Sequence, residues 1–473
     1  MTYFTFILDS CKITFKKLGG QICGGFYFWM EFNFARRILI FNYYVYLINK
    51  LKNKVEKIYI ENFAGIKSMD FEFKSINILI GPQGSGKSIT VKLLYFFKNF
   101  INEIVKNIEN EESKRELDKK QKETFITFFP KESWSEDNFL IIYNNSNNNT
   151  SITLKKLNSK LVFEYSENLS KLLKKARKIY SSEKIKLLEQ GKISSFRFKR
   201  EISTKVTKCI QEELGLNSTY EQFFIPAGRS FFANVQNTIF SFLSENRSLD
   251  PFLVEFGSSY ESLKRFYNNY ISSESNDKEG KEFDILISQI LNSKYVRDKE
   301  KDYLMHEDSR KVNLANASSG QQETLPLMII LKALNYINSS DSGFTLYIEE
   351  PEAHLFPTAQ KKIVELLART FNNQQKNFQI FITTHSPYIL SSFNNLIYAG
   401  NLANHSKNFE GKVEKVVPRK EQLESLLFSV YSIKNNEKKY LIDEDSKLIS
   451  STILDFVSEE ISMEFDKLLN IEF

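Results

Sequence analysis

Cysteine, histidine and glycine are all scarce in this chain of 473 residues. The three cysteines, Cys11, Cys23 and Cys209, form an odd and widely spaced set. They supply neither a disulfide framework nor the paired spacing of a zinc site, and a reducing, cytoplasmic compartment is the expectation. Long apolar runs are missing too. The strongest, Ile38 to Ile48, is too short to span a bilayer and abuts Arg36-Arg37, so no membrane partner is expected. No basic-then-apolar start leads into a small-residue cleavage site, which argues against a secretory signal. No heptad run is sustained long enough for a coiled-coil arm, and no repeat stands out.

The net charge of +6 says little as a total. Residues 1 to 58 carry nine Lys/Arg against Asp9, Glu31 and Glu56, so the remainder is neutral overall and only local patches can speak for nucleic acid. Residues 1–53 are aromatic-rich and without clear periodicity. We expect them to be an extension upstream of the true start of translation, with the ordered chain beginning near Val55. From there Lys57-Ile58-Tyr59-Ile60-Glu61-Asn62-Phe63 alternates like a strand.

Against the scarcity of glycine, Gly81-Pro82-Gln83-Gly84-Ser85-Gly86-Lys87-Ser88 places three glycines in eight positions. A glycine, four residues, then Gly-Lys-Ser is the phosphate-binding P-loop pattern. Its flanks suit it. Ile76 to Ile80 reads as a buried strand, and from Ile89 to Phe97 apolar residues recur at helical spacing. Glycines let main-chain N–H groups turn inward as a nest for phosphate oxygens, and the following helix N-terminus adds partial positive charge. Lys87 is then the bridge to the terminal phosphates of ATP and the Ser88 hydroxyl a ligand of Mg²⁺. The competing reading is a glycine turn with a surface lysine.

Ile58 to Phe73 reads as a hairpin turning near Ala64-Gly65. Asn110 to Thr124 reads as a solvated helix. Phe139–Tyr143, Ser151–Leu154 and Leu161–Tyr165 alternate like three short strands, with the polar loop Asn144–Asn149 between two of them. Residues 171 to 208 hold thirteen Lys/Arg and three Glu. Such a face suits a phosphate backbone; it equally suits a solvated helix. Phe223 to Gly228 reads as a buried strand and turn, followed by Arg229, which either reaches the nucleotide or pairs with a core carboxylate. Residues 231 to 312 read as mostly helical, with a polar break from Ser273 to Lys281.

A second cluster lies downstream. Phe344 to Ile348 is an apolar strand ending in Glu349-Glu350, and alternation along a strand sends adjacent carboxylates to opposite faces. One can hold Mg²⁺ while the other polarises an attacking water, the two tasks that phosphoryl transfer requires. Ile380 to Thr384 is another buried strand, followed by His385-Ser386-Pro387. Of the four histidines (His306, His354, His385, His405), His385 stands where it can hold a water or donate to a γ-phosphate. Ala317-Ser318-Ser319-Gly320-Gln321-Gln322-Glu323 opens an apolar helix, Leu325 to Leu334. Small residues there make a second anion-binding helix N-terminus, and a second such site suggests service to the nucleotide of a neighbouring subunit.

The P-loop, the Ser-Ser-Gly-Gln signature, the Glu-Glu strand end and Thr383-Thr384-His385-Ser386-Pro387 resemble, in that order, ABC-type ATPases of the SMC and RecF kind. The wording Ile348-Glu349-Glu350-Pro351-Glu352-Ala353-His354-Leu355, with Ile60-Glu61-Asn62-Phe63 at the start, is most similar to the ATPase domain of OLD-family (overcoming lysogenization defect) nucleases and related bacterial defence ATPases. The resemblance spans about residues 55–400. It implies an α/β P-loop NTPase of ABC-ATPase type, a mixed sheet flanked by helices, with a largely helical insertion lobe. It implies catalytic roles for Glu350, His385 and Lys87. ATP would contact Gly81, Pro82, Gln83, Gly84, Ser85, Gly86, Lys87, Ser88 and Ile89 of one subunit and Ser318, Ser319, Gly320 and Gln321 of the other in a head-to-tail homodimer. Ser88 and Glu349 would hold Mg²⁺. Glu349 stands where many ABC proteins have Asp, Ser319 where transporters have Gly, and no glutamine stands out for the Q-loop.

On this basis the expected segments are an ATPase N-terminal part at 54–120, an inserted β-meander and helical lobe at 121–312, an ATPase C-terminal part at 313–412, and a helical tail at 413–473. OLD nucleases carry a Toprim domain after the ATPase; with 88 residues after His385 none is expected here, and the chain is not expected to be a nuclease itself. Asp443-Glu444-Asp445 reads instead as a charged turn before an amphipathic helix, Ile449 to Leu469. A clamp driven by ATP turnover, acting on DNA or on an effector protein from a neighbouring gene, is the expected function, with anti-phage defence as its setting. A nucleotide-gated scaffold that holds a nuclease or toxin with little turnover is the alternative.

Overall fold

The computed structural model describes residues 56–134, 138–145, 150–158, 160–189, 196–235, 249–268, 278–298, 301–337, 343–373, 375–450 and 463, all within one compact unit, Asn53–Phe473. The extension at 1–53, most of the polar break at 273–281 and most of the helix expected at Ile449–Leu469 lie outside them.

The described residues open with a hairpin, β1 (Glu56–Phe63) and β2 (Ile66–Phe73). Its two turn residues, Ala64 and Gly65, both have positive φ, the geometry that matches the twist of the paired strands. Next come β3 (Ile76–Ile80), the glycine loop and α1 (Lys87–Glu109). A capping box between Ser113 and Glu116 starts α2 (Lys114–Phe128). Three strands follow, β4 (Leu140–Asn144), β5 (Ser151–Leu157) and β6 (Lys160–Tyr165), then α3 (Glu167–Glu189), α4 (Phe196–Leu214) and β7 (Glu221–Ile225). The middle of the chain holds α5 (Phe231–Val235), α6 (Pro251–Phe266), α7 (Lys278–Leu291), β8 (Lys294–Asp298), β9 (Lys301–Met305) and β10 (Lys311–Asn313). The last third is α8 (Ser319–Tyr336), β11 (Phe344–Glu349), α9 (Pro357–Phe371), β12 (Phe378–Thr384), α10 (Pro387–His405), α11 (Lys407–Glu414), β13 (Phe428–Lys434) and β14 (Glu437–Tyr440).

The fold is α/β around a mixed six-stranded sheet in the order β14-β13-β3-β12-β11-β7, parallel throughout except for β14. Its inner strands are apolar on both faces, as covered parallel strands must be. Ile78, Ile80, Leu346, Ile348 and Ile382 face one core with α8, α9 and α10. Leu79, Tyr347, Phe381 and Tyr431 face the other with α1. The far side of α1 is covered by a five-stranded antiparallel sheet, β2-β1-β4-β5-β6. Helix α1 is therefore buried between two sheets, which fixes the direction in which its N-terminus, and so the glycine loop, points. A buried polar cluster pins it there. Lys98 of α1 lies 3.4 Å from Glu56 of β1 and donates to Gln379 of β12, while Tyr143 of β4 donates to Glu56 at 2.8 Å.

Three expectations need correction. The strands expected as an inserted meander are not separate: β4 pairs with β1, and the boundary set at residue 120 falls inside α2. The stretch 231–312 holds β8, β9 and the start of β10 as well as helices; along β9 Asp302 and Leu304 turn inward while Lys301, Tyr303 and Met305 are more open. The described part of the tail, 413–450, is not a run of helix. Phe428–Lys434 joins the central sheet directly beside β3, and Asn435-Asn436, both at positive φ, turn it into β14. Asp443-Glu444-Asp445 does lie in a turn, where Asp443 accepts from Ser446 N (2.7 Å) and Oγ (2.8 Å). Among the described residues no helix is long and apolar enough to cross a membrane.

Candidate functional site

The glycine loop joins the end of β3 to the start of α1. A Cβ on Gly81 would collide with the carbonyl oxygen of Ile433 on β13, so only glycine lets the loop lie this close to the sheet. Gly86 caps α1 in a left-handed conformation, φ 98°. Pro82, Gln83, Gly84 and Ser88 are exposed, Ser85 and Ile89 half-buried. Lys87 is 5 % exposed. Its ammonium donates to the carbonyls of Gly81 and Pro82, both at 2.7 Å, and to Ser85 Oγ at 3.4 Å. Burial lowers the Lys87 pKa; the carboxylates of Glu350, Glu352 and Glu349 oppose that, in this order. The lysine thus sits in the field of all three acids.

Those acids leave the end of β11, two strands away from β3 in the sheet. Glu349 is the last strand residue; Glu350 is already outside it, at φ 42°. Strand alternation therefore does not separate the two carboxylates, as the sequence suggested; a left-handed turn does. A non-glycine residue in that region costs about 1–2 kcal/mol and is held only by its surroundings. Here Glu350 N donates to Thr383 O (2.9 Å), and Arg229 grips the carbonyls of Glu349 (2.7 Å) and Glu350 (3.1 Å). The Glu350 carboxylate faces His385, Oε1 to Nε2 3.3 Å. His385 follows β12, the strand lying between β11 and β3, so the sheet order itself brings lysine, glutamate and histidine to one edge.

Glu349 is 7 % exposed. Its Oε2 accepts from Ala227 N (3.3 Å), while Oε1 has no partner. Glu352 is 9 % exposed; Oε1 accepts from Thr384 Oγ1 (2.6 Å) and His385 N (2.8 Å), and Oε2 has no partner. A buried carboxylate oxygen without a partner is costly, and a hydrated cation would satisfy it. The available donors are all oxygen, the kind Mg²⁺ prefers. No group of three His, Cys, Asp or Glu converges among the described residues. The set fits a Mg²⁺ that arrives with phosphates and keeps much of its water shell.

Ser318 caps α8 in a capping box with Gln321. Ser318 and Ser319 are exposed, whereas Gly320 is buried with its Cα against the turn after β11: a Cβ there would lie 2.7 Å from His354 O. The Gln321 side chain is spent inside the subunit, on Ser318 and on Leu291 O (2.7 Å). Within one chain, among the described residues, no hydrogen bond or ion pair joins Ser318–Gln321 to the glycine loop; the structure brings Lys87, Glu349, Glu350 and His385 together and leaves the exposed Ser318-Ser319 at the helix head facing outward.

Residues 54–390 match the protein-family description AAA ATPase domain. The chain belongs to that family. This AAA ATPase shows no match among curated proteins. Solved structures similar to it include the SMC head domain from Thermotoga maritima, at 12% identity over 82% of this chain and 98% of that one, TM-score 0.33. An SmcHead bound to the C-winged helix domain of ScpA is similar at 10% identity over 82% and 96%, TM-score 0.35. The Smc head from Pyrococcus furiosus is similar at 11% identity over 86% and 99%, TM-score 0.33. TM-scores of this size add no argument about partners. Arg229, for which the sequence left open the nucleotide or a core carboxylate, pairs with buried Glu323; what the motifs of the AAA ATPase did not reveal is that partner and the support from Glu352. The only sequence signals were the Pro226-Ala227-Gly228 turn before Arg229 and a third acid in Glu349-Glu350-Pro351-Glu352.

Proposed function

We propose that this AAA ATPase binds ATP with Mg²⁺ at Gly81–Ile89 and hydrolyses it between two copies of the chain. The observation that supports this most is the placement of Glu350. Its carboxylate is held outside the strand by a left-handed turn, oriented by His385 at 3.3 Å, and set within the field of Lys87. That is the arrangement for a base that accepts a proton from an attacking water. Lys87 would release the loop carbonyls it now caps and neutralise charge on the terminal phosphates. Main-chain N–H groups of residues 83–88 and the N-terminus of α1 would bind the remaining oxygens. Ser88 and Glu349 would hold the Mg²⁺, which supplies Lewis-acid charge to the phosphoryl group. Ser318, Ser319 and Gly320 are the groups that would close the site of a second copy, and their exposure at the head of α8 supports that role.

We place the chain nearest the OLD-like ATPases, on the wording of Glu349 to Leu355, and propose a cytoplasmic clamp whose output passes to DNA or to an effector protein, in phage defence. Lys174, Lys175 and Lys178 remain exposed on α3, while Lys171, Lys184 and Lys186 pair with glutamates; the first three are the contacts a phosphate backbone would use. Sedimentation of Glu350→Gln with ATP and Mg²⁺ tests the clamp. It should move at twice the monomer mass and stay there, while the unaltered chain returns to monomer as ATP is consumed. A monomer under saturating ATP removes the clamp; a dimer that forms without turnover in the unaltered chain favours the scaffold.

A further inference from the structure

Arg229 is the largest fully buried side chain of the described residues, at 0 % exposure. The turn before it, with Gly228 at φ 79°, swings it from the end of β7 under the catalytic turn. Its guanidinium donates to four carbonyls: Pro226 (2.8 Å), Glu349 (2.7 Å), Glu350 (3.1 Å) and Glu323 (3.0 Å). The Glu323 carboxylate accepts in return from Arg229 N (2.9 Å) and Ser230 N (2.7 Å) and lies 3.5 Å from the guanidinium. Glu323 belongs to the first turns of α8, whose exposed head is Ser318-Ser319. A second contact runs the same way, since Gly320 packs against His354 O. The head of α8 and the turn that aims Glu350 are therefore one rigid piece, with Arg229 as its joint.

We propose that Arg229, paired with Glu323, is a positioning residue that transmits the placement of the α8 head to the Glu350 carboxylate. Nothing in its contacts touches the glycine loop, so turnover depends on it and nucleotide affinity does not. A partner subunit's phosphates engaging Ser318 and Ser319 would then set the aim of the base in the chain that offers them. This rests on the ATPase reading given above.

The test uses the full chain and four variants: Glu323→Gln, Arg229→Lys, Glu350→Gln, and Glu323→Gln combined with Glu350→Gln. Steady-state phosphate release gives kcat, a fluorescent ATP analogue gives Kd, and thermal unfolding by circular dichroism checks the fold. Glu323→Gln and Arg229→Lys should lose at least tenfold in kcat with Kd within twofold. The double variant should lose no more than Glu350→Gln alone, because a misaimed base and an absent base are the same defect; general structural damage would add. Should Arg229→Lys fail to fold, the near-isosteric Glu323→Gln carries the result. A folded Glu323→Gln with kcat unchanged overturns the proposal, as does a Kd that weakens in step with kcat. If the unaltered chain and Glu350→Gln release phosphate equally, the ATPase reading has failed, and this one with it.

Discussion

The glycine loop and the acidic strand end stand at the same edge of the central sheet but are held in opposite ways. The loop is shaped by main chain. Its turns are set by Gly81 and Gly86, its floor is the Ile433 carbonyl, and even Lys87 rests on carbonyls of the loop itself. The acids are shaped by groups from distant segments, mostly side chains: Arg229 under Glu350, His385 beside it, Thr384 on Glu352, with the Ala227 main-chain amide on Glu349. A local device is robust to what happens elsewhere in the chain; a convergent one is tunable from elsewhere. Defects in the first should therefore appear as lost binding and defects in the second as lost turnover.

Glu350→Gln presses that contrast hardest. Loss of a general base lowers kcat by about 10²–10⁴-fold, with ATP Kd within twofold by equilibrium dialysis; an equal loss in Kd would erase the distinction. Lys87→Ala should do the reverse. Removing charged hydrogen bonds worth about 1.5–3 kcal/mol weakens ATP binding roughly 10- to 100-fold by the same measurement. Gly81→Ala sharpens the comparison from the stability side. Forcing a methyl onto the Ile433 carbonyl costs about 1–3 kcal/mol, read as a lower urea midpoint at unchanged slope. Glu352→Gln should have the smallest effect, about fivefold in kcat, as one of its two bonds at the head of α10 weakens by about 1 kcal/mol.

The same contrast governs what the sequence discloses. Gly81 to Ser88 is legible because its geometry is written in consecutive residues, and strands β3, β11 and β12 because covered parallel strands read as apolar runs. His385 was legible because it follows such a run and histidine is scarce. Arg229 was legible as an arginine that either reaches the nucleotide or pairs with a core carboxylate; its partner was not, since the pairing with Glu323 spans 94 residues and is decided by packing. The left-handed Glu350 was hidden behind an assumption that the strand continues. The β13–β14 hairpin carried a local signal, Phe428-Ser429-Val430 alternation ending in Asn435-Asn436. Its importance was hidden all the same, because its parallel partner β3 lies far upstream.

That pairing bears on how the protein is made. The wall behind Gly81 is Ile433, which leaves the ribosome about 350 residues after β3. At about 5–20 residues per second, synthesis of the intervening chain lasts on the order of twenty to seventy seconds. Throughout that interval the nascent loop has no backstop, and the apolar edge of β3 lies open to whatever meets it. A complete nucleotide-gripping loop therefore waits for β13, made about 350 residues after the loop itself.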